Sequence, residues 1–459
     1  MRSRAARLGI ALLLGCLAAC RATPPARPDI VLISIDTLAR SALQAYDPEA
    51  PPLPNLDRFA REAVRFDDAI AAASWTLPSH ASLMTGLYPD RHGATDPRVA
   101  ISPSVATIAE ALHLAGYETV AFTDGGLVSK NFGFARGFER YDDWARDPHP
   151  EQIPRSGAPP PIHGADIFDR AIAFAAQRGH GTRPFFLFLH TYAVHDYYAL
   201  HPWATAGLTL DGRTSPDLVS CLHGVTHCDA ATWQLLRALY HAEVVHLDAA
   251  FGRLLDALRS SGLEKTSVVV LVSDHGEGLD PERGRMHHGG RLDEDLIRVP
   301  LLVHAPWLAP RNVLEPVSLV DVMPTLLELT NALRPEGLDG SSFAPLLRGA
   351  GSDGSKRAIY AMEYFWSWPD GKRAFAQTVR ARPLAVAAIQ GGRWYIRSGE
   401  REQLFDLADA RQLHELPLDA DAAGPREAIA ARMQDRAVSL PTERLEELHE
   451  QLHALGYVE

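Results

Sequence analysis

Asp29-Ile30-Val31-Leu32-Ile33-Ser34-Ile35-Asp36 is the stretch that decides the fold. Its aliphatic residues do not alternate with polar ones, as they would in a strand with one wet face. An unbroken run of this length reads as a strand buried on both faces. Residues 118–122, 184–189 (PFFLFL), Ser267–Val272 (SVVVLV) and 299–303 have the same texture. Helical stripes lie between them. Leu56, Phe59, Ala60, Ala63 and Val64 follow Asn55, a candidate N-cap. A helix is expected over 105–115, stopped by Gly116, and another over 244–258, with Val244, Leu247, Phe251, Leu254, Leu255 and Leu258 on one face. Strands separated by helices give an α/β fold, a mainly parallel sheet flanked by helices on both faces. Ligands of such sheets gather outside the carboxyl ends of the strands. Asp36, His190, Asp274 and His275 all fall there.

The chain has 459 residues, 46% of them hydrophobic and 22% charged, with a formal net charge of −12. That composition is globular, and its acidity makes nucleic acid a poor partner. Four further segments organise the chain. Residues 1–19 carry Arg2, Arg4 and an apolar run from Leu8 to Leu17, too short to span a bilayer and suited to a secretory signal. The run ends in Leu17-Ala18-Ala19-Cys20, which resembles a bacterial lipobox. The resemblance implies export and a lipid anchor on Cys20, at the periplasmic face of the inner or outer membrane. A linker over 20–27 then leads to a catalytic domain over 28–345. From 346 the texture changes to short runs and a charged helical tail beginning at Pro425, expected to form a smaller C-terminal α+β subdomain over 346–459. Of four cysteines, only Cys221 and Cys228 lie in the folded body, and an oxidising compartment favours a local disulfide over a zinc site with His223 and His227.

Chemistry-bearing residues fall in four segments. Asp36 ends the first strand. Thr76 lies just before a helix begun by Pro78 and stopped by Gly86, where free N–H groups favour an oxyanion. His190 and His195 follow an apolar strand. Ser273-Asp274-His275-Gly276-Glu277 and then His287-His288 form a metal-ligand pattern.

Taken together, these segments resemble the sulfatase-like branch of the alkaline phosphatase superfamily. Thr76-Leu77-Pro78-Ser79-His80 stands where that family has Cys-x-Pro-Ser-Arg, with Thr85-Gly86 behind it. Leu296-Ile297-Arg298-Val299-Pro300-Leu301, Val320-Asp321-Val322-Met323-Pro324-Thr325-Leu326 and Leu338-Asp339-Gly340 are further marks. The resemblance implies that Asp36, Thr76, Asp274 and His275 bind one divalent metal, with His190 nearby. The histidines favour zinc, with calcium, magnesium and manganese as alternatives. A second metal on His190, His195 and His288 is the rival arrangement. Threonine cannot become formylglycine, because its carbinol carbon carries a methyl. This departure points to phosphodiesters or phosphomonoesters ahead of sulfate esters, with Thr76 as nucleophile and His288 and His195 binding oxygens or protonating the leaving group. The alternatives are a phosphoryl-group transferase acting on envelope lipid or glycan, and a lipoprotein that binds without catalysis.

Overall fold

The computed structural model describes residues 22–143, 164–178, 181, 183–351, 357–364, 382–409 and 411–433. Residues 1–21, with Cys20, and the tail beyond 433 lie outside the described residues. The strands of the main sheet, in chain order, are β1 (Asp29–Ile35), β2 (Val64–Phe66), β3 (Glu118–Thr123), β4 (Arg140–Asp142), β5 (Phe185–Thr191), β6 (Ser267–Val272), β7 (Leu301–His304) and β8 (Arg311–Val313). Their spatial order is β8-β2-β7-β6-β1-β5-β3-β4, and β7 alone runs against the other seven.

Alternate side chains of each unbroken run serve two cores. Ile30, Leu32, Phe186, Phe188, Val268 and Val270 face one. Val31, Ile33, Leu187, Leu189, Val269 and Leu271 face the other. Full burial of each such side chain is worth roughly 1.5–3 kcal/mol, so a polar residue on either face would be costly. Helices α1 (Pro54–Glu62), α4 (Gly164–Arg178) and α5 (Ala230–Ser260) cover the second face. Helices α2 (Thr76–Thr85), α3 (Ile108–Leu114) and α6 (Val322–Leu329) cover the first.

Several boundaries differ from expectation: the helix expected over 105–115 runs from Ile108 to Leu114 behind its Thr107 cap, and the helix expected to begin at Pro78 already begins at Thr76. Asn55 is not the cap of α1. That helix begins at Pro54, and the N–H groups of Asn55 and Leu56 donate to Asp248 Oδ1 of α5, at 3.1 and 2.7 Å. The long helix starts at Ala230 rather than 244, because Asp229 caps Thr232 N and Trp233, Leu236, Leu239 and Tyr240 extend the stripe. The run over 299–303 is split by Pro300, which lacks an N–H. Arg298–Val299 pairs with Ala69–Ile70 in a separate small sheet, and Leu301–His304 joins the main one.

Beyond the catalytic unit, β9 (Ile359–Glu363), β10 (Ala385–Gln390), β11 (Arg393–Ser398) and β12 (Arg401–Asp406) form an antiparallel sheet. Helix Ala423–Met433 packs on it, and Arg432 there reaches Asp90 at 2.6 Å and Asp339 at 3.3 Å. Cys221 and Cys228 form the expected disulfide. Among the described residues, no helix is long and apolar enough to cross a membrane.

Glu294 lies where the C-terminal segment meets the catalytic unit, beside Arg285 at 3.1 Å. Burial, reinforced by Asp295, raises its carboxyl to about 7. The native state therefore holds a proton that the unfolded chain releases from pH 4.5 upward, and stability falls as pH rises through this window. Glu294→Gln removes the dependence. Between about pH 5 and about pH 8, the variant's unfolding free energy is expected to gain on wild type by up to about 3 kcal/mol. Parallel denaturation curves for the two proteins across that range would refute this.

Candidate active site and metal centre

The site forms at the carboxyl ends of β1, β5 and β6, where the parallel strands bring Ser34 level with His190 and Val272. Thr37, at φ +57°, turns the chain sharply after Asp36, an outlying conformation for a β-branched residue. Tyr240 of α5 fixes this turn. Its hydroxyl donates to Thr37 O and accepts from Ala39 N, both at 2.8 Å. After β6, the Ser273 hydroxyl ties Ile35 O (2.8 Å) to His275 O (2.6 Å), locking the two ligand-bearing turns together. Gly276 passes so close to Asp295 that a Cβ would lie 2.0 Å from its carbonyl oxygen.

Thr76 is the first residue of α2 and is buried. Its hydroxyl donates to Asp36 Oδ2 at 3.1 Å and lies 3.4 Å from His275 Nε2. His275 Nδ1 bonds the Gly276 carbonyl at 2.9 Å, so the proton belongs on Nδ1 and the Nε2 lone pair faces Thr76. Asp36, Asp274 and His275 present ligand atoms within 4.8 Å of one another. Asp36 Oδ1 and Asp274 Oδ1 are buried and accept no hydrogen bond from the protein. Two buried carboxylates, incompletely satisfied and beside His275 Nε2, fit a divalent cation.

His80 stands where the family has arginine, and the structure gives it a place in the site. Thr76 and His80 are four apart on α2 and share a face. His80 Nδ1 donates to Thr76 O at 3.0 Å and lies 3.1 Å from Asp274 Oδ2, while Nε2 pairs with the Ser34 hydroxyl at 2.8 Å. Burial opposes its charge, but Asp274 and Asp36 outweigh this and raise its pKa above the ordinary value. With both nitrogens engaged, His80 braces Thr76 and Ser34 beside the carboxylates rather than acting as a metal donor, although it stands at ligand spacing with Asp36 and His190.

The other histidines divide into two places. His190 Nε2 lies 3.6 Å from Asp36 Oδ2, on the His80 side. His195 and His288 face each other with ring centres 5.1 Å apart, and His288 is 4.7 Å from His275. The trio His190, His195 and His288, expected for a second ion, is not a ligand-spaced group among the described residues. The sheet pairs His190 with Ser34 inside β5, whereas His195 lies in the following turn. Each of the facing pair is anchored through Nδ1, His195 on Asp196 (2.7 Å) and His288 on Glu277 (2.6 Å), which directs Nε2 away from the carboxylate. Glu277 also accepts from Tyr197 OH at 2.9 Å. Burial alone would raise its carboxyl, but His288 and His287 hold it well below the usual range. Glu277 belongs to the metal-ligand pattern read from the sequence, but its place as the anchor of His288 and Tyr197 is visible only in the fold.

One more carboxylate arrives from the C-terminal sheet. Glu363 of β9 accepts from the Ser74 hydroxyl and from Gly290 N at 3.1 Å, and Gly289 N donates to Ser74 O at 2.9 Å. The segment leading to Thr76 and the segment carrying His288 are thereby joined.

A family model described as sulfatase matches residues 28–332. The chain belongs to the sulfatase family. Membership makes it a hydrolase acting on ester bonds, in a family that is typically metal-dependent. An ulvan-active sulfatase of Formosa agariphila is 25% identical over 361 residues, covering 73% of this chain and 68% of its own. A choline-sulfatase of Rhizobium meliloti is also 25% identical, covering 85% of this chain and 82% of its own. Among solved structures, the phosphonate monoester hydrolase of Agrobacterium radiobacter superposes with a TM-score of 0.69 at 22% identity, covering 89% of this sulfatase-family chain and 95% of that one. That likeness concerns the fold, including the C-terminal antiparallel sheet.

Proposed function

We propose that this sulfatase-family hydrolase is metal-dependent and cleaves phosphate esters, with phosphodiesters and phosphomonoesters ahead of sulfate esters, by attack of unmodified Thr76. The observation that carries the reading is the Thr76 hydroxyl, 3.1 Å from Asp36 Oδ2 and 3.4 Å from His275 Nε2, at the position where formylglycine chemistry needs a cysteine or serine. Asp36, Asp274 and His275 would hold the divalent cation, whose charge favours an ionised hydroxyl and offsets charge on the transferring group.

The residues divide the remaining work. Thr76 passes its proton to Asp36 Oδ2 and its oxygen bonds to phosphorus as the ester P–O bond breaks. His288, whose pKa burial and His287 press well below the ordinary value, carries its one proton on Nδ1 toward Glu277. The departing oxygen therefore takes its proton from Nε2 of a protonated His195, held at Nδ1 by Asp196. Water then attacks phosphorus and gives its proton back to that imidazole. The Thr76–phosphorus bond breaks, and Asp36 returns the proton to Thr76. His80 stays hydrogen-bonded to Thr76 O and 3.1 Å from Asp274 Oδ2 throughout, keeping the carboxylate and the start of α2 in register.

The test is a panel of nitrophenyl phosphomonoester, phosphodiester and sulfate ester, turned over by protein made without any formylglycine-generating enzyme. Phosphoesters are expected to lead in kcat/KM. A wild type that prefers the sulfate ester would overturn the proposal.

A further inference from the structure

A short hairpin follows the ligand-bearing turn after β6. It pairs Gly278–Asp280 with Arg285–His287, in a register that sets Gly278 opposite His287. Glu277, one residue before the hairpin, therefore meets His287 and His288 at its far end. Successive side chains of a strand point to opposite faces, so two adjacent histidines do not ordinarily reach one carboxylate. The backbone of His287 is left-handed at φ +56°, an uncommon conformation for a residue with a Cβ, and the kink lets both rings turn to Glu277. Glu277 Oε1 lies 3.3 Å from His287 Nδ1, and Oε2 lies 2.6 Å from His288 Nδ1. The two ring centres are 4.0 Å apart.

One carboxylate and two imidazoles thus present ligand atoms within 4.8 Å of one another, as a group separate from Asp36, Asp274 and His275. Ligand atoms about 2.1 Å from a tetrahedral ion stand roughly 3.4 Å apart. The His287 contact already has that spacing, and the His288 contact has to open by less than about 1 Å. The Glu277 side chain is fully buried, whereas that of His287 is 19% exposed, which gives an ion a way in. Both histidines offer Nδ1, so the ion stands behind His288, whose Nε2 points away from it. A fourth donor is close. His223, in the loop closed by the Cys221–Cys228 disulfide, has its ring centre 4.9 Å from that of His287. The disulfide takes the two sulfurs out of any metal site but leaves this imidazole beside the pair.

We propose that Glu277, His287 and His288, with His223, form an accessory zinc site. Two imidazoles and a glutamate are a donor set that zinc takes, whereas magnesium and calcium prefer oxygen ligands throughout. Zinc replaces the Nδ1 proton that His288 gives to Glu277, and the ring carries its proton on Nε2 instead. That exchange weakens the site, so it fills from added zinc. Once filled, it ties the disulfide loop to the segment that carries His288. The site is independent of the phosphoester reading and stands whichever ester the enzyme prefers.

The test is isothermal titration of chelator-stripped, full-length Asp274→Asn protein with zinc chloride and with magnesium chloride. The substitution weakens the first site and leaves Glu277, His287 and His288 untouched. One equivalent of zinc is expected to bind, and magnesium to show no saturable binding. Adding His287→Asn keeps a residue that tolerates the left-handed backbone and removes the imidazole. It should weaken zinc by about a hundredfold or more, at or above the range for loss of an outer-shell partner. His223→Ala should weaken zinc several-fold. Equilibrium dialysis of wild type against zinc reads the same site without Asp274→Asn, and His287→Asn should hold one zinc per chain fewer. The proposal is overturned if Asp274→Asn binds no zinc, if magnesium binds as well as zinc, or if His287→Asn leaves zinc affinity and stoichiometry unchanged.

Discussion

Thr76→Ala is expected to lower turnover of the best phosphoester by about 10⁴-fold or more, the scale seen when a covalent nucleophile is removed from an otherwise intact site. Asp36, Asp274 and His275 remain, so metal content should stay near wild type. That split between lost turnover and kept metal distinguishes a nucleophile from a structural threonine. Thr76→Ser keeps the hydroxyl within reach of Asp36 Oδ2 and should retain measurable activity. The price of losing the methyl is a small void beside α2, about 1 kcal/mol of stability. Intact mass of the wild-type active-site peptide should show plain threonine. Full activity in Thr76→Ala would return the search for the nucleophile to the other side chains around His195 and His288.

Metal removal is the second large effect. Chelation should abolish activity and lower Tm by on the order of 5 °C, because a cation bound only by the native state adds about 2.7 kcal/mol at a hundredfold excess over Kd. The decisive comparison is Asp274→Asn. In wild-type protein without metal, Asp36 and Asp274 are both buried beside His275, with His80 3.1 Å from Asp274. Replacing one carboxylate by an amide weakens cation binding and also relieves that repulsion. Its Tm should therefore be insensitive to chelator and equal or exceed that of chelated wild type. A chelator-induced Tm drop as large as wild type's in Asp274→Asn would show that the cation sits elsewhere.

Much of the fold was legible because burial on both faces leaves an unmistakable trace. The runs at Asp29–Ile35 and Ser267–Val272 coincide with their strands. Boundaries failed where the deciding partner is remote in sequence. Asp248 caps a helix nearly two hundred residues earlier, and no local rule reveals that. In the site, Thr76, Asp36, Asp274 and His275 stood out because each ends or follows a recognisable element. His80 differs from the family's arginine in residue type, and only its spacing from Thr76 on the helix puts it on the same face. Tyr197 carries no local mark at all, since its role exists only once Glu277 has been brought to it by the fold.

Glu363 bears on how such enzymes can be recombined. The strand that carries it belongs to the C-terminal sheet, yet its carboxylate holds the backbone and hydroxyl that precede Thr76 and follow His288. The tail is thus not an interchangeable module. A chimera that grafts the C-terminal sheet of another family member onto this unit keeps the segments before Thr76 and after His288 joined only if the graft brings an acceptor to that same spot. Exchange of tails between lineages, which would be an easy route to new substrates, is constrained by one side chain at the joint.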